Sequence, residues 1–251
     1  MTKRNSNWPI IILSLPGEDT RRAPLLESLD ALDLSYEVLL GVDGRQGLAP
    51  EWLAQIDRPG AQQRLGRPMT EGEFACALSH QTVYRRILSE GWAGAVVLED
   101  DAIIGPQFGT FMQQALYLKS DIMMLYHSHA RVIGRATQIM PDVQMDKLSF
   151  SCSGAVAYSL NSNAAAALVA ANAPVRNIAD WPSAFEGLHA TVLVPQLIGH
   201  PPLAHDPSHL EGQRRSTTTK HRKRGLQKVQ PLFTKSFWKR WITKRLSHRV
   251  S

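Results

Sequence analysis

The sequence contains only two cysteines, Cys76 and Cys152, in 251 residues. Two thiols in apolar, small-residue surroundings are too few for a disulfide framework, so we expect both to be reduced and to pack as small hydrophobic groups. No apolar run in the sequence reaches the roughly 18 residues that a membrane-spanning helix requires. These absences exclude a disulfide-stabilised scaffold and predict a chain that does not cross a membrane.

Acidic residues are also missing from the end of the sequence, where none follows Glu211. Residues 212–251 hold 13 of the 28 lysines and arginines, whereas the residues before them hold 15 basic and 22 acidic side chains. The overall charge of +6 therefore combines an acidic body of about −7 with a basic tail of +13. We predict a folded domain over residues 1–211, a basic linker over 212–230 and an amphipathic helix over 231–251.

The hydrophobic pattern alternates between strand and helix along the body. Residues 10–15 form a continuous β-branched run, a helical repeat follows over 20–34, and strand character returns at 36–42. The Thr70–Glu73 segment has the form of a capping box and predicts a helix to about residue 90. The other expected elements are strands at 95–98, 121–126 and 191–198, several shorter strands within 132–160, and helices at 106–118 and 163–171. This order predicts an α/β fold, a three-layer sandwich with a mostly parallel sheet and ligands beyond the carboxyl ends of its strands.

Three adjacent carboxylates, Glu99, Asp100 and Asp101, follow the buried strand at 95–98. Their desolvation and mutual repulsion are costly without a positive partner. A divalent cation together with substrate phosphates would neutralise the cluster, and a solvated acidic turn is the alternative. Because alternate residues of an extended chain point the same way, we expect Glu99 and Asp101 to face one ligand and Asp100 to face away.

An ordered set of motifs extends this interpretation. Residues 69–80 read MTEGEFACALSH, and Val97–Asp101 follows them. The first segment is similar to the T-x-G-E-x-x-C-x-L-S-H signature of glycosyltransferase family 25, the lipopolysaccharide and lipooligosaccharide biosynthesis glycosyltransferases, and the second follows at that family's spacing. Further resemblances lie in residues 11–15 with the pair Arg21-Arg22, Val42–Gly44, residues 151–167 and Ala179–Trp181. The sequence departs from the family where Ser14 replaces the usual Asn and where Phe74-Ala75 replaces Ile-Gly.

The resemblance implies a GT-A type, Rossmann-like domain over residues 1–211 that transfers a sugar from a nucleotide sugar with the help of Mn²⁺ or Mg²⁺. It implies that Glu99 holds the donor ribose, that Asp100 faces the donor sugar and that Asp101 binds the metal. It also makes Asp180 the candidate base for an inverting transfer and Trp181 a ring that stacks on a sugar. The alternative for these last two residues is a turn-capping aspartate beside a core tryptophan.

Two further groups of residues are candidates for substrate contacts. Arg21 and Arg22 suit the donor diphosphate because guanidinium forks match phosphate oxygens, and a surface-helix position is their alternative. Glu73, Ser79 and His80 are expected to line the donor or acceptor cleft, with a structural histidine as the alternative for His80.

A second metal ligand is expected from the histidine-rich segment 199–211 that leaves the body. Its members are His200, His205 and His209, of which we place His205 first. Imidazole is an acceptable ligand for Mn²⁺ and Zn²⁺. The prediction is therefore a metal held by Asp101 and His205.

The basic tail carries its own pattern. Apolar residues between 232 and 246 recur at spacings of four and five among lysines and arginines. A helix of this kind is suited to an anionic membrane surface, where each basic residue contributes roughly 1 kcal/mol. A helix docked on the domain is the alternative. Nucleic acid is not the expected partner, because the acidic body would oppose it and no recognition motif is present.

Together these features lead to one expectation and one alternative. We expect a peripheral enzyme on the cytoplasmic face of the membrane that transfers a hexose, galactose from UDP-galactose, to a lipid-linked oligosaccharide of the lipopolysaccharide type. The alternative is a non-catalytic protein of the same fold that binds a sugar nucleotide or a membrane.

Overall fold

The structure is a computed structural model that describes residues 8–150, 152–179, 181, 185, 187–201 and 235–250, with residues 235–240 described by their backbone alone. Its strands are β1 (Ile10–Ser14), β2 (Tyr36–Leu40), β3 (Gly94–Glu99), β4 (Ile103–Ile104), β5 (Ile122–Met124), β6 (Ala130–Met140), β7 (Val143–Leu148), β8 (Ala157–Asn161), β9 (Ala190–Val194), β10 (Ile198–Gly199) and β11 (His248–Val250). Its helices are α1 (Asp19–Ala31), α2 (Pro50–Leu53), α3 (Arg58–Leu65), α4 (Glu71–Ser89), α5 (Phe108–Gln113), α6 (Ser162–Ala171) and α7 (Lys235–Leu246), with a 3₁₀ turn at Leu116–Lys119. The alternation of strand and helix expected from the sequence is present.

Nine strands of the described ranges form one sheet in the order β11-β6-β7-β9-β5-β8-β3-β1-β2. Strand β1 lies between β2 and β3 and is parallel to both, and β5 is parallel to β9. Strands β7, β8 and β11 run against their neighbours. Most strands thus point in one direction, as predicted, and the three reversed strands make the sheet mixed.

The two faces of the sheet are both covered, which confirms the predicted three layers. Along β1, Ile10 and Ile12 pack into one core with α1 and α5, whereas Ile11 and Leu13 pack into the other with α4 and α6. All four side chains are buried, and each such burial contributes about 1.5–3 kcal/mol. A strand that is apolar on both faces therefore lies in the centre of the sheet, where helices on either side bury both of its faces.

Residues 45–69 connect the edge strand β2 to α4 and contain two short helices, α2 and α3. Asp57 caps α3 by accepting a 2.8 Å hydrogen bond from Gly60 N, and Gly66 ends it in the left-handed conformation. Ala61 packs with Val42, Phe74 and the first turns of α4 in a third apolar cluster. This packing fixes the loop after β2 against α4.

The end of the chain differs from the single helix predicted over 231–251. Helix α7 ends at Leu246, and β11 then pairs antiparallel with β6 and forms the edge of the sheet. Arg131 of β6 donates to the carbonyl oxygens of Lys244 (2.8 Å) and Ser247 (2.6 Å) and so caps the carboxyl end of the helix. The open edge of β6 supplies backbone partners that the sequence pattern does not reveal.

Two further predictions concern the whole chain. Cys76 and Cys152 are both thiols, as expected. Among the helices described, none is long and apolar enough to cross a bilayer. The predicted boundaries at residues 211 and 230 fall outside the described ranges.

Candidate active site

A cleft opens at the carboxyl ends of β1, β2 and β3. Parallel pairing of these strands brings Ser14, the loop after Leu40 and Glu99 to the same edge of the sheet. The walls of the cleft include the start of α1, the first turns of α4, the acidic motif and His200. Ligands of open α/β sheets bind at such an edge, so this cleft is the candidate site.

Helix α4 forms one wall and is fixed at its first turn. Thr70 Oγ1 accepts from Glu73 N (3.1 Å), and the Glu73 carboxylate accepts from Thr70 N (3.0 Å), which completes the predicted capping box. Arg67 also pairs with the buried Glu73 carboxylate at 2.6 Å. Glu73 was expected to line the cleft, but it is not among the lining residues. Its carboxylate instead accepts from the amide of Thr70 at the start of the helix.

The loop after β2 packs closely on this helix. A Cβ atom at Gly41 would lie 2.6 Å from Ser79 Oγ, and one at Gly44 would lie 2.7 Å from Ala75 Cβ. Ser79 Oγ accepts from Val42 N and donates to Ala75 O, both at 2.8 Å. Ser79 lies on the cleft wall, and its hydroxyl joins the loop to the helix.

The acidic motif begins where β3 ends. The chain turns at Glu99, with Ala102 N donating to Glu99 O at 3.0 Å, so the extended alternation expected from the sequence does not continue. Instead, Arg21 of α1 contacts both Asp100 (Nε to Oδ1, 3.0 Å) and Asp101 (Nη2 to Oδ2). Ser14 Oγ donates to Asp100 Oδ2 at 2.8 Å. Asp100 and Asp101 therefore share the guanidinium group of Arg21.

The two aspartates are held in different electrostatic surroundings. Burial raises the pKa of Asp100 above its ordinary value of 3.8, and the Ser14 hydrogen bond and Arg21 offset only part of that effect. Burial also acts to raise the pKa of Asp101, but the hydrogen bond from His200 and the charge of Arg21 outweigh it, so the pKa is lowered. The same contact, His200 Nε2 to Asp101 Oδ2 at 3.2 Å, raises the pKa of His200. Arg21 and His200 therefore both favour the ionised form of Asp101.

Asp101 also has an unused oxygen. Its Oδ1 is buried and has no hydrogen-bond partner among the described residues. Buried carboxylate oxygens are normally satisfied, so this atom calls for a further partner. Carboxylate oxygen is the ligand that Mg²⁺ and Mn²⁺ prefer, and the residues at this corner fit a divalent cation of that kind.

Glu99 faces the opposite wall. Its Oε1 lies 3.1 Å from His80 Nε2, and His80 Nδ1 lies 2.7 Å from the hydroxyl of Tyr158. Only 1% of His80 is exposed, whereas 27% of the Glu99 side chain is exposed and lines the cleft. His80 thus reaches the cleft through Glu99 and does not line it directly, because it lies beneath that carboxylate.

Comparison with known proteins adds the family. Residues 7–182, more than half of the chain, match the sequence model of glycosyltransferase family 25 (LPS biosynthesis protein). The chain belongs to this family. The match includes the strands and helices that build the cleft.

Individual family 25 proteins match shorter segments of this chain than the family model does. A Rattus norvegicus protein named probable inactive glycosyltransferase 25 family member 3 is 36% identical over 96 residues, covering 37% of this chain and 17% of that protein. A glycosyltransferase 25 family member of Aedes aegypti is 34% identical over 111 residues (43% and 18%), and procollagen galactosyltransferase 1 of Danio rerio is 30% identical over 95 residues (37% and 16%). Each of these three matched segments spans less than a fifth of the relative's own length. Because some relatives are named inactive, family 25 membership does not by itself establish catalysis.

The remaining predicted family 25 site residues have different placements. Arg22 pairs with Asp19 on the surface of α1, and its Nη1 lies 3.4 Å from Ser14 Oγ. Trp181 is buried and packs edge-on against Tyr158 with ring centroids 4.9 Å apart, the core arrangement weighed as its alternative. Asp180 and His205 lie outside the described residues, so their assigned roles stay predictions.

Three cleft residues were ranked low or given no site role in the sequence analysis. His200 was placed behind His205, yet it is the histidine of the described ranges that contacts Asp101. Arg45 joins the loops after β1 and β2 by pairing with Asp43 (2.7 Å) and Glu18 (2.6 Å). Cys76 lines the cleft beside Glu99. The signal for Cys76 lay within the family 25 signature, whereas the contacts of His200 and Arg45 depend on chain folding.

Proposed function

We propose that this protein is a metal-dependent glycosyltransferase that transfers a hexose, galactose, from a UDP-sugar to an oligosaccharide of the lipopolysaccharide type. The observation that carries the proposal is the acidic motif at the carboxyl end of β3, which lines a cleft at the edge of three parallel strands. The family description supports a lipopolysaccharide-type acceptor, and the relatives named procollagen galactosyltransferases support galactose.

In this proposal the donor occupies the cleft with its ribose on Glu99 and its sugar facing Asp100. Glu99 suits the first role because its side chain is 27% exposed, lines the cleft 3.1 Å from His80 and offers a carboxylate acceptor to hydroxyl groups. Arg21 contributes positive charge next to the donor phosphates and keeps the two aspartates oriented. Arg22 contributes through its contact with Ser14, and Ser79 contributes by holding the loop after β2 against α4.

Asp101 is the residue that would hold Mn²⁺ or Mg²⁺, through the buried oxygen described above. Bound there, the cation would offset the negative charge that develops on the departing nucleoside diphosphate. Asp180 is proposed to take the proton from the acceptor hydroxyl, which gives inversion at the transferred carbon, and His205 to support the metal. These two roles derive from the family resemblance alone.

The second candidate function is a non-catalytic protein that binds a sugar nucleotide. Two observations favour it. Relatives of this chain are named inactive. Arg21 also neutralises part of the charge of the acidic motif without a divalent cation. In such a protein the carboxylates and Arg21 would form a stable charged turn that still presents Glu99 to the cleft.

Donor hydrolysis separates the two functions. We expect the full chain to release UDP slowly from UDP-galactose when Mn²⁺ is present, and to lose this release in Asp101→Asn while the circular dichroism spectrum is unchanged. The matched control is Asp19→Asn, which removes an acidic group from α1 outside the cleft. Nucleotide-dependent thermal stabilisation without UDP release would instead identify the binding protein.

We also propose that the basic tail attaches the protein to the cytoplasmic face of an anionic membrane. The support lies in the 13 basic residues of 212–251 and in three exposed apolar side chains of α7, Trp241, Ile242 and Leu246. Arg245 lies over the Trp241 ring at 4.3 Å, so apolar and basic groups share one surface. A lipid-linked acceptor would be reached from this position.

A further inference from the structure

Three side chains of different chemistry meet on the α4 wall of the cleft. Cys76 and His80 are one helical turn apart on α4, and Glu99 approaches from the end of β3. The thiol sulfur, one imidazole nitrogen and one carboxylate oxygen all lie within 4.8 Å of one another. This cluster is separate from the Asp101 oxygen that was matched to Mn²⁺ or Mg²⁺.

Hydrogen bonding decides which nitrogen of His80 carries a proton. The Tyr158 hydroxyl is fully buried, and it donates its hydrogen to Tyr84 Oη at 3.3 Å. The Tyr158 oxygen must then accept from His80 Nδ1, which lies 2.7 Å away. In neutral His80 the lone pair therefore lies on Nε2.

That lone pair is directed toward Glu99 Oε1, which is only 3.1 Å away. Two acceptors at this distance repel each other unless a proton or a metal ion lies between them. The thiol of Cys76 beside the same pair favours a metal, because sulfur and imidazole ligands together suit Zn²⁺. Tyr158 then has the role of an outer partner that fixes a metal-binding imidazole.

We propose that Cys76, His80 and Glu99 form a binding site for a borderline-soft divalent cation of the Zn²⁺ class. Three protein ligands leave the fourth position open, and both Cys76 and Glu99 line the cleft from which water or a ligand would fill it. Binding converts the Cys76 thiol to a thiolate and releases its proton to solvent. The site prefers Zn²⁺ or Co²⁺ over Mn²⁺, because Mn²⁺ has the lowest affinity for such ligands among the first-row divalent metals, and thiolate and imidazole ligands suit Zn²⁺.

Occupancy of this site has a consequence that rests on the proposed function. Glu99 is the proposed ligand of the donor ribose, and a metal on its carboxylate withdraws it toward α4. We therefore expect Zn²⁺ to weaken UDP-sugar binding, whereas Mn²⁺ strengthens it. The metal site itself is testable whether or not the protein is an enzyme.

The test uses the metal-free full chain and Co²⁺ as the probe. We expect one equivalent of Co²⁺ to produce the near-ultraviolet absorption of a cobalt–thiolate bond, and Zn²⁺ to abolish it by displacement. Cys76→Ser should remove the band, whereas Cys152→Ser, which alters the other cysteine, should retain it. Tyr158→Phe should weaken Zn²⁺ binding by about 10- to 100-fold, the effect of losing an outer partner.

A second measurement covers the case in which a variant folds poorly. Zn²⁺ should slow alkylation of Cys76 in the unaltered protein, read by mass spectrometry, and Mn²⁺ at the same concentration should not. The proposal is overturned if Co²⁺ gives no thiolate band, if Zn²⁺ leaves the alkylation rate of Cys76 unchanged, or if folded Cys76→Ser binds Zn²⁺ as tightly as the unaltered chain. None of these outcomes bears on UDP release, so the proposed function is judged separately.

Discussion

Replacing Arg21 by glutamine tests whether its guanidinium group stabilises the two buried aspartates of the acidic motif. Arg21 contacts Asp100 and Asp101, whose side chains are only 11% and 8% exposed, and is itself 21% exposed. Removing one member of a buried ion pair costs roughly 3–5 kcal/mol, because the remaining charge is left without compensation. The partial exposure of Arg21 places the expected loss of unfolding free energy at the lower end, about 3 kcal/mol.

The neighbouring arginine supplies a matched control. Arg22 is on the same helix and its side chain is 17% exposed, but its partner Asp19 is 76% exposed. Arg22→Gln therefore leaves a solvated carboxylate and not a buried one, so the lost pair is worth about 0–1 kcal/mol and stability should change little. In a chain of this size a loss of about 3 kcal/mol lowers the unfolding midpoint by roughly 6–12 °C. The two adjacent substitutions should therefore differ by several degrees.

Urea denaturation at neutral pH, followed by tryptophan fluorescence, measures the difference in unfolding free energy. Adding Asp100→Asn to Arg21→Gln should recover part of the loss, since it removes one of the two stranded charges. Equal and small effects of Arg21→Gln and Arg22→Gln would refute the reasoning, because they would mean that the carboxylates are solvated without Arg21.

Three other predictions concern the loop, a buried histidine and the tail. Gly44→Ala should lower the unfolding free energy by about 1–3 kcal/mol, measured by urea denaturation, because its Cβ would lie 2.7 Å from both Ala75 Cβ and Glu71 O; an unchanged midpoint would contradict the close packing. Burial lowers the pKa of His127, so its imidazole should titrate below 6.5 by NMR, and the unfolding free energy should fall as the pH drops from 6.5 through that lowered pKa; an ordinary midpoint would disprove this. Deletion of residues 226–251 should release the protein from anionic vesicles in a sedimentation assay, and retained co-sedimentation would exclude the tail as the anchor.

The order of elements was largely predictable because hydrophobic period and capping are local properties. The β1 run, the Thr70–Glu73 capping box and the strand before Glu99 all appear in the structure within a few residues of their expected limits. The direction of the later strands was harder to predict. Strand β7 reverses in a hairpin directly after β6, whereas β8 and β11 are reversed by pairing with β3 and β6, which are distant in sequence. A short strand such as β11 has no periodic signal of its own.

The same division applies to the candidate site. The sequence alone determined that three carboxylates follow a buried strand and that a signature helix precedes them, because adjacency and helical spacing are written in the chain. Only the tertiary structure decided that Arg21 joins Asp100 to Asp101, that His200 reaches Asp101, and that Glu99 turns to His80. These pairings depend on where the chain turns after β3 and on which helix covers each face of the sheet. Such long-range contacts leave no regular spacing in a sequence, whereas they set the charge, burial and orientation of every carboxylate in the cleft.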